Sequence, residues 1–277
     1  MRRHLFAAAA VVAAAITVSF LALPVVAIFV HVPPGKLIDA LGSSAARDAL
    51  VVSIKTSLIA HLAVLLFGTP AAYAIGRNRF RGRALVLSLI ELPLVVPPVV
   101  AGIALLVTFG RFGLLGGTLD AFGLSVSFTQ AAVVIAIAFV ESPFYIRGAI
   151  ASFEGIDDTL LEAARTLGAR PFRVFARVAV PLAAGGLGAA SALALARGLG
   201  EFGATLLFAG SLQGVTQTLP LAIYAQFEVS FDTALAIGAL FVVFGVTVLL
   251  ALKLIPGWTR SISLWTFRSA SSPSTSS

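Results

Sequence analysis

The chain has 277 residues, 59% of them hydrophobic and 11% charged, with a mean hydropathy of +1.03. A soluble core of this length has no use for so much apolar surface, so the expected solvent for most of the chain is a bilayer. A formal charge of +7 with no cysteine excludes disulfide and thiol chemistry. In a soluble protein that charge would suggest nucleic acid, but in a membrane protein its distribution matters more than its sum.

Arg2-Arg3 followed by an Ala-rich run has the look of a secretory signal. The apolar stretch 5–32 is longer than the about 7–15 residues of such a region, so a retained first helix is expected. Further apolar runs follow at 50–75, 85–109, 131–145, 183–208 and 234–255, to be set against the roughly 20 residues that cross a hydrocarbon core. The fourth is short unless it extends through Phe128 or Ile150. Lipid offers no partner to backbone polar groups, so an all-α membrane protein with six transmembrane helices is expected. The connections 33–48, 110–129 and 209–232 contain Gly, Pro and polar residues and are too small for domains. The chain divides into a first helix and outer loop (1–49), a five-helix core (50–255) interrupted by a polar insert (154–182), and a polar tail (256–277). The Ser-rich end of that tail, 269–277, has the composition of disorder. No internal repeat is visible, which weakens an inverted-repeat secondary transporter.

Charge orients these spans. With the N-terminus inside, the cytoplasmic segments hold Arg2, Arg3, Arg77, Arg79, Arg81, Arg83, Arg147, Arg165, Arg170, Arg173, Arg177, Arg260 and Arg268, and the outer loops hold only Lys36, Arg47 and Arg111. The asymmetry predicts both termini in the cytoplasm.

In the second span, Lys55 and His61 are isolated polar groups that are expected to pack or snorkel, as is Glu141 in the fourth. The third span opens with Glu91-Leu92-Pro93-Leu94-Val95-Val96-Pro97-Pro98. Its prolines break helix hydrogen bonds, and freed carbonyls at membrane depth are tolerated beside protein or a water-filled cavity, so this segment is a candidate for lining a path.

The insert begins with Asp157, Asp158 and Thr159, all N-cap types, and Thr159 with Glu162 fits a capping box. Leu160, Leu161, Ala164 and Leu167 recur at helical spacing. Gly168 permits a left-handed turn and Pro171 suits the first turn of a second short helix. A helix-turn-helix at the membrane surface is expected, with Arg165, Arg170, Arg173 and Arg177 facing water or a partner.

The fifth span carries Gly186, Ala190, Ala194 and Gly198 four residues apart, with Ala192, Ala196, Gly200 and Ala204 on a neighbouring stripe. Small residues at that period let helices approach closely. Arg197 and Glu201 are also four apart and are expected on one face of this helix, as an ion pair or a path or gate element. His4 and His31 show no metal-ligand spacing, no nucleophile–base pair stands out, and Gly35-Lys36 is followed by Leu37 rather than by the Ser or Thr of a phosphate-binding loop. The chain is therefore expected to bind no metal or cofactor and to have no catalytic residues or ATPase site of its own.

Glu162-Ala163-Ala164, Gly168, Val178 and Val180-Pro181 resemble the coupling segment of ABC importer permeases, whose pattern is EAA, three residues, Gly, nine residues, then Ile-x-Leu-Pro. Val178 and Val180 stand in for the usual Ile and Leu. The Pro-rich third span, Gly200-Glu201-Phe202-Gly203-Ala204 and the run 216–224 are similar to the molybdate/tungstate branch, with sulfate permeases sharing much of this. The resemblance implies a type I importer permease fold in a bacterial or archaeal cell membrane. It implies a homodimer with two cytoplasmic ATPase subunits, which hold ATP and Mg, and an extracytoplasmic oxyanion-binding protein, with no role for nucleic acid. It assigns ATPase coupling to Glu162, Ala163, Ala164, Gly168 and Pro181, and the path or gate to Glu91, Pro93, Pro97, Pro98, Arg197, Gly200, Glu201 and Gly203. The rival readings are a sulfate or thiosulfate permease and an ion-coupled carrier in which Glu91, Glu141 and Glu201 would titrate.

Overall fold

The computed structural model describes residues 2–253. The polar tail, with Arg260 and Arg268, lies outside the described residues, as does the end of the sixth apolar run. The described chain is helical throughout its regular structure. Helix α1 (Arg2–His31) leads through the short α2 (Pro34–Gly42) into α3 (Ser44–Arg77), whose first turn is capped by the Ser43 hydroxyl accepting the Ala46 N–H. Helices α4 (Arg83–Val95), α5 (Pro98–Phe109) and the single-turn α6 (Gly116–Ala121) precede α7 (Gln130–Glu154). The insert forms α8 (Asp158–Thr166). Helix α9 (Pro171–Val174), a π-helical turn at Phe175–Ala179, and α10 (Val180–Leu199) then run on from one another. Helices α11 (Gly203–Ala209), α12 (Leu219–Phe227) and α13 (Phe231–Lys253) complete the order.

Among the described residues, five helical stretches are long and apolar enough to cross a membrane: Phe6–His31, Ser44–Arg77, Gln130–Glu154, Pro171–Leu199 and Phe231–Ala251. A sixth crossing exists only as the pair α4 and α5, which is bent by 114°. The prolines expected to interrupt the third span do break it, between Val95 and Pro98. The cause is local: Val96 and Pro97 each precede a proline, and both take the extended conformation such residues prefer, with ψ of 124° and 139°.

Other boundaries also move. The fourth span runs on to Glu154, past Pro143 and through Arg147, so Arg147 sits within a helix rather than in a cytoplasmic loop. The fifth starts at Pro171, twelve residues before the expected start at Ala183, and stops at Leu199 rather than at Phe208. The outer connections are partly helical, carrying α2, α6 and α12.

The core is built on α7, which packs against both α3 and α10. Towards the arginine-rich end, Ile75, Tyr145, Phe153, Leu161, Val174 and Leu187 form one buried cluster. Towards the other end, Ala101, Leu105, Val133, Ile137 and Phe208 form another, which joins α5 and α11 to α7. Close approach depends on missing side chains: a Cβ on Gly102 of α5 would lie 2.9 Å from the Ala204 carbonyl oxygen of α11. Tyr73, Phe153 and Phe175 bring three elements together in one aromatic knot, with centroids 5.3 Å apart for Tyr73–Phe153 and 5.0 Å for Tyr73–Phe175. Each such ring pair adds about 0.5–1.5 kcal/mol beyond its buried area. Helix α1 stands apart from this core: it touches α13, where Ile28 and Val32 meet Ala236 and Ala239, and its apolar side chains are otherwise exposed for lipid to cover.

Candidate functional site: the surface insert and the broken helices

The insert is organised from its first residue. Asp157, not Thr159, is the N-cap of α8: its Oδ1 accepts the Thr159 backbone N–H and the Thr159 hydroxyl, both at 2.9 Å. The backbone N–H and then the hydroxyl hold the Asp157 carboxyl below the ordinary aspartate range. The expected Thr159–Glu162 capping box is therefore not what starts the helix. At its end, Gly168 adopts φ +81°, and its N–H reaches the Arg165 carbonyl at 2.9 Å while the Ala169 N–H reaches Ala164 at 3.1 Å. That turn was legible in the sequence and forms as read.

Pro171 opens the next helix as expected, but this helix is the start of the fifth span rather than a short separate one. The junction is the π-helical turn. Pro181 has no N–H and its ring crowds the carbonyl four residues back, and the backbone widens just before it, so that the Val180 N–H bonds to the Phe175 carbonyl five residues back.

The expected apolar face of α8 is split. Leu161 is buried and Ala164 half-buried against the core, whereas Leu160 and Leu167 point away, Leu167 at 89% exposure. With Phe172 at 78%, they form an exposed apolar patch on a segment whose Glu162, Arg165, Arg170, Arg173 and Arg177 are also exposed. Ala163 and Pro181 are exposed as well.

Two arginines read only as orientation signals strap this insert to the bundle. Arg77, at the end of α3, donates to the Phe153 and Ile156 carbonyls at 3.2 and 3.1 Å and pairs with Asp158. Arg83 donates to the Ile75 carbonyl at 3.1 Å and pairs with Glu154.

Among the path candidates, the structure brings some together and separates others. Glu91 of α4 pairs with Arg147 of α7. Pro93 lies within α4, half-buried, while Pro97 and Pro98 form the exposed break. Gly203 packs on that break: a Cβ there would meet the Pro98 Cβ at 2.8 Å. The discontinuity of the third span thus rests on the one after α10.

Arg197 and Glu201 do form an ion pair, Nη1 to Oε2 at 3.0 Å. They do not share a helix, however. The helix ends at Leu199, Gly200 is an exposed turn residue, and Glu201 is a buried residue whose Oε1 accepts the Ala204 N–H of α11 at 2.8 Å. The helical spacing found the pair, and the carboxylate's second duty as a cap was not visible in it.

The sequence treated His61 and Glu141 as unrelated single groups, yet they meet. His61 Nδ1 lies 3.1 Å from Glu141 Oε1, and His61 Nε2 lies 2.8 Å from the Ser191 hydroxyl, linking α3, α7 and α10. Glu141 is fully buried, and its second oxygen lies where a Cβ on Gly198 would intrude. Lys55 donates to Gln130 at 2.7 Å. Thr216, Gln217 and Thr218 are buried. They hold the chain before α12: the Leu212 N–H donates to the Thr216 hydroxyl, Gln217 donates to the Ser211 hydroxyl, and the Leu219 N–H donates to Ser53 of α3.

Residues 65–260 match the family of binding-protein-dependent transport system inner membrane components. The chain belongs to that family. The permease is 46% identical over 234 residues to the molybdenum transport system permease protein ModB of Mycobacterium tuberculosis, covering 83% of this chain and 88% of the relative. It is 42% identical over 182 residues to ModB of Escherichia coli, with 65% and 80% covered. The sulfate transport system permease protein CysW of a Synechocystis strain is 36% identical over 222 residues, with 79% and 80% covered. Its fold is that of ABC importer permeases. A chain of a bacterial alginate ABC transporter in complex with its oligosaccharide-bound periplasmic protein superposes with a TM-score of 0.72 at 18% identity, covering 91% of this chain and 93% of that one. The MetNI methionine ABC transporter gives 0.52 at 17% identity, with 75% and 94% covered.

Proposed function

We propose that this permease is the membrane-spanning subunit of an ATP-driven importer of molybdate or tungstate. The observation that carries the substrate is the 46% identity over most of both chains to a molybdenum permease, against 36% to the sulfate relative. Two copies surround one path, with the arginine-rich end and both termini in the cytoplasm. An extracytoplasmic binding protein delivers the anion, and selection between oxyanions lies there, because fixed donors in a closed pocket can measure size. Two ATPase subunits, carrying ATP and Mg, dock on the insert. The exposed Leu160, Leu167 and Phe172 supply the apolar part of that docking surface, and Arg165, Arg170 and Arg173 ring it.

The geometry supports a mechanism in which the insert is a lever rather than a flexible arm. Arg77 ties the start of α8 to α3 and to the end of α7, and the chain beyond Gly168 runs directly into the fifth span. Displacement of the docking surface by the closing ATPases is thereby handed to three spans together. ATP binding supplies the differential affinity that moves such an equilibrium. The path side is the broken third span, the Gly200–Gly203 break and the Arg197–Glu201 pair.

The test is uptake of labelled molybdate by proteoliposomes holding the complete transporter, competed by tungstate, sulfate or phosphate. ATP-dependent uptake blocked by tungstate is expected. Preference for sulfate would reassign the substrate, and uptake without ATP or binding protein would overturn the importer reading.

A further inference from the structure

On the surface of the permease, α4, α7 and α10 enclose a groove of about 470 Å³. Its charged lining residues are Glu91 and Arg147, and the rest of the wall is apolar, with Gly148 and Gly186 letting α7 and α10 pack closely behind it. Arg147 is 56% exposed and Glu91 35%, although each lies within a helix of the spanning bundle. Full charges at such positions cannot be left to lipid, so the groove faces water or the second copy of the permease.

The two charges are not equivalent. Arg147 is on α7, the helix around which the core is packed. Glu91 is on α4, two residues before Pro93 and just ahead of the 114° break, on a helix with no fully buried residue. A movement of α4 about that break withdraws the carboxylate and leaves the guanidinium bare. At ~30 Å³ per water, the groove has room for an anion with part of its hydration shell. Such a site is weak enough to release what it binds, as a conduit requires.

We infer that Arg147 is a contact site for the transported divalent oxyanion and that Glu91 is the intramolecular counter-ion the substrate displaces. The planar guanidinium suits two oxygens of a tetrahedral dianion at once. This rests on the oxyanion-importer reading above.

The experiment uses the complete transporter in proteoliposomes, with labelled molybdate, and compares wild type with Arg147→Gln, Glu91→Gln and the double variant. Arg147→Gln is expected to slow uptake by about ten- to a hundredfold, the loss of one charged hydrogen-bonding site. ATP hydrolysis stimulated by the loaded binding protein should persist. Glu91→Gln is expected to lose at least tenfold less, and the double variant to resemble Arg147→Gln. Losses of comparable size in the two single variants, or recovery in the double, would mark a purely structural bridge and overturn the proposal, as would wild-type uptake by Arg147→Gln. Assembly with the ATPase is checked by mass. Should Arg147→Gln not assemble, Arg147→Lys replaces it in the same comparison, keeping the charge without the fork. Absence of ATP-driven molybdate uptake in the wild type would instead sink the importer reading, before any variant is compared.

Discussion

At Gly168 the backbone makes a demand that only one residue type meets cheaply. A β-branched side chain at φ +81° is strained by about 1–2 kcal/mol, and open space around that position offers no other penalty. Gly168→Val should therefore insert and assemble normally yet lower ATP-dependent uptake, because the strain tilts the docking helix. Wild-type transport by an inserted variant would separate this turn from coupling. Arg197 and Glu201 invite a different comparison. Removing Arg197 leaves the carboxylate still holding the Ala204 N–H, whereas removing Glu201 takes away the pair and the cap together. Glu201→Ala should cost more than Arg197→Ala, by about 1–3 kcal/mol in thermal unfolding of the purified permease, and the double variant should match Glu201→Ala. Strictly additive losses would argue that the two side chains act independently. Spacing alone revealed the Arg197–Glu201 and Asp157-to-Gly168 features because they are local, involving caps, turns and neighbours within one or two helical turns. His61 and Glu141, eighty residues apart, carry no local mark of their meeting. Removing His61 should leave a fully buried carboxylate short of its partner, so His61→Ala is expected to lower the melting temperature in detergent more than Lys55→Ala, whose partner Gln130 lies at an exposed edge.

The elements show where hydropathy stops being a guide. The apolar run 131–145 stops short of Arg147. The helix itself continues to Glu154, and Arg147 within it meets Glu91 of α4. Prolines announced that the third span is irregular, but the 114° bend follows from two successive pre-proline residues and from how α5 seats on α11, which no window of sequence contains. The π-helical turn is similar: Pro181 was read as part of a motif, and the widening that accommodates it appears only in the hydrogen-bond ladder. Pro181→Ala restores an amide donor and removes the crowding of the preceding turn, so the segment is expected to tighten to an α-helix. Tightening turns α10 relative to α8. The variant should be as stable as wild type or slightly more so, by about 0.5–1.5 kcal/mol, and slower in uptake. Unaltered transport would show that the register between insert and span is not used.

For the whole molecule, the family and the fold were already present in a spacing pattern and an overall hydropathy, whereas the number of straight crossings was not. One permease exposes charged and small-residue surface along α4 and α10, which the proposed homodimer would cover. Native mass measurement of the purified transporter is expected to give two permeases per pair of ATPases, and a single copy would overturn the dimeric path. The first helix has a different relation to its surroundings. Because α1 meets the bundle chiefly along α13 and its other described apolar side chains are exposed, it is held to a solvent and a length and not to a shape. Its residues are therefore interchangeable in a way those of α7 are not. Any apolar helix long enough to cross should serve there, and mutations can accumulate in it without consequence so long as none is charged.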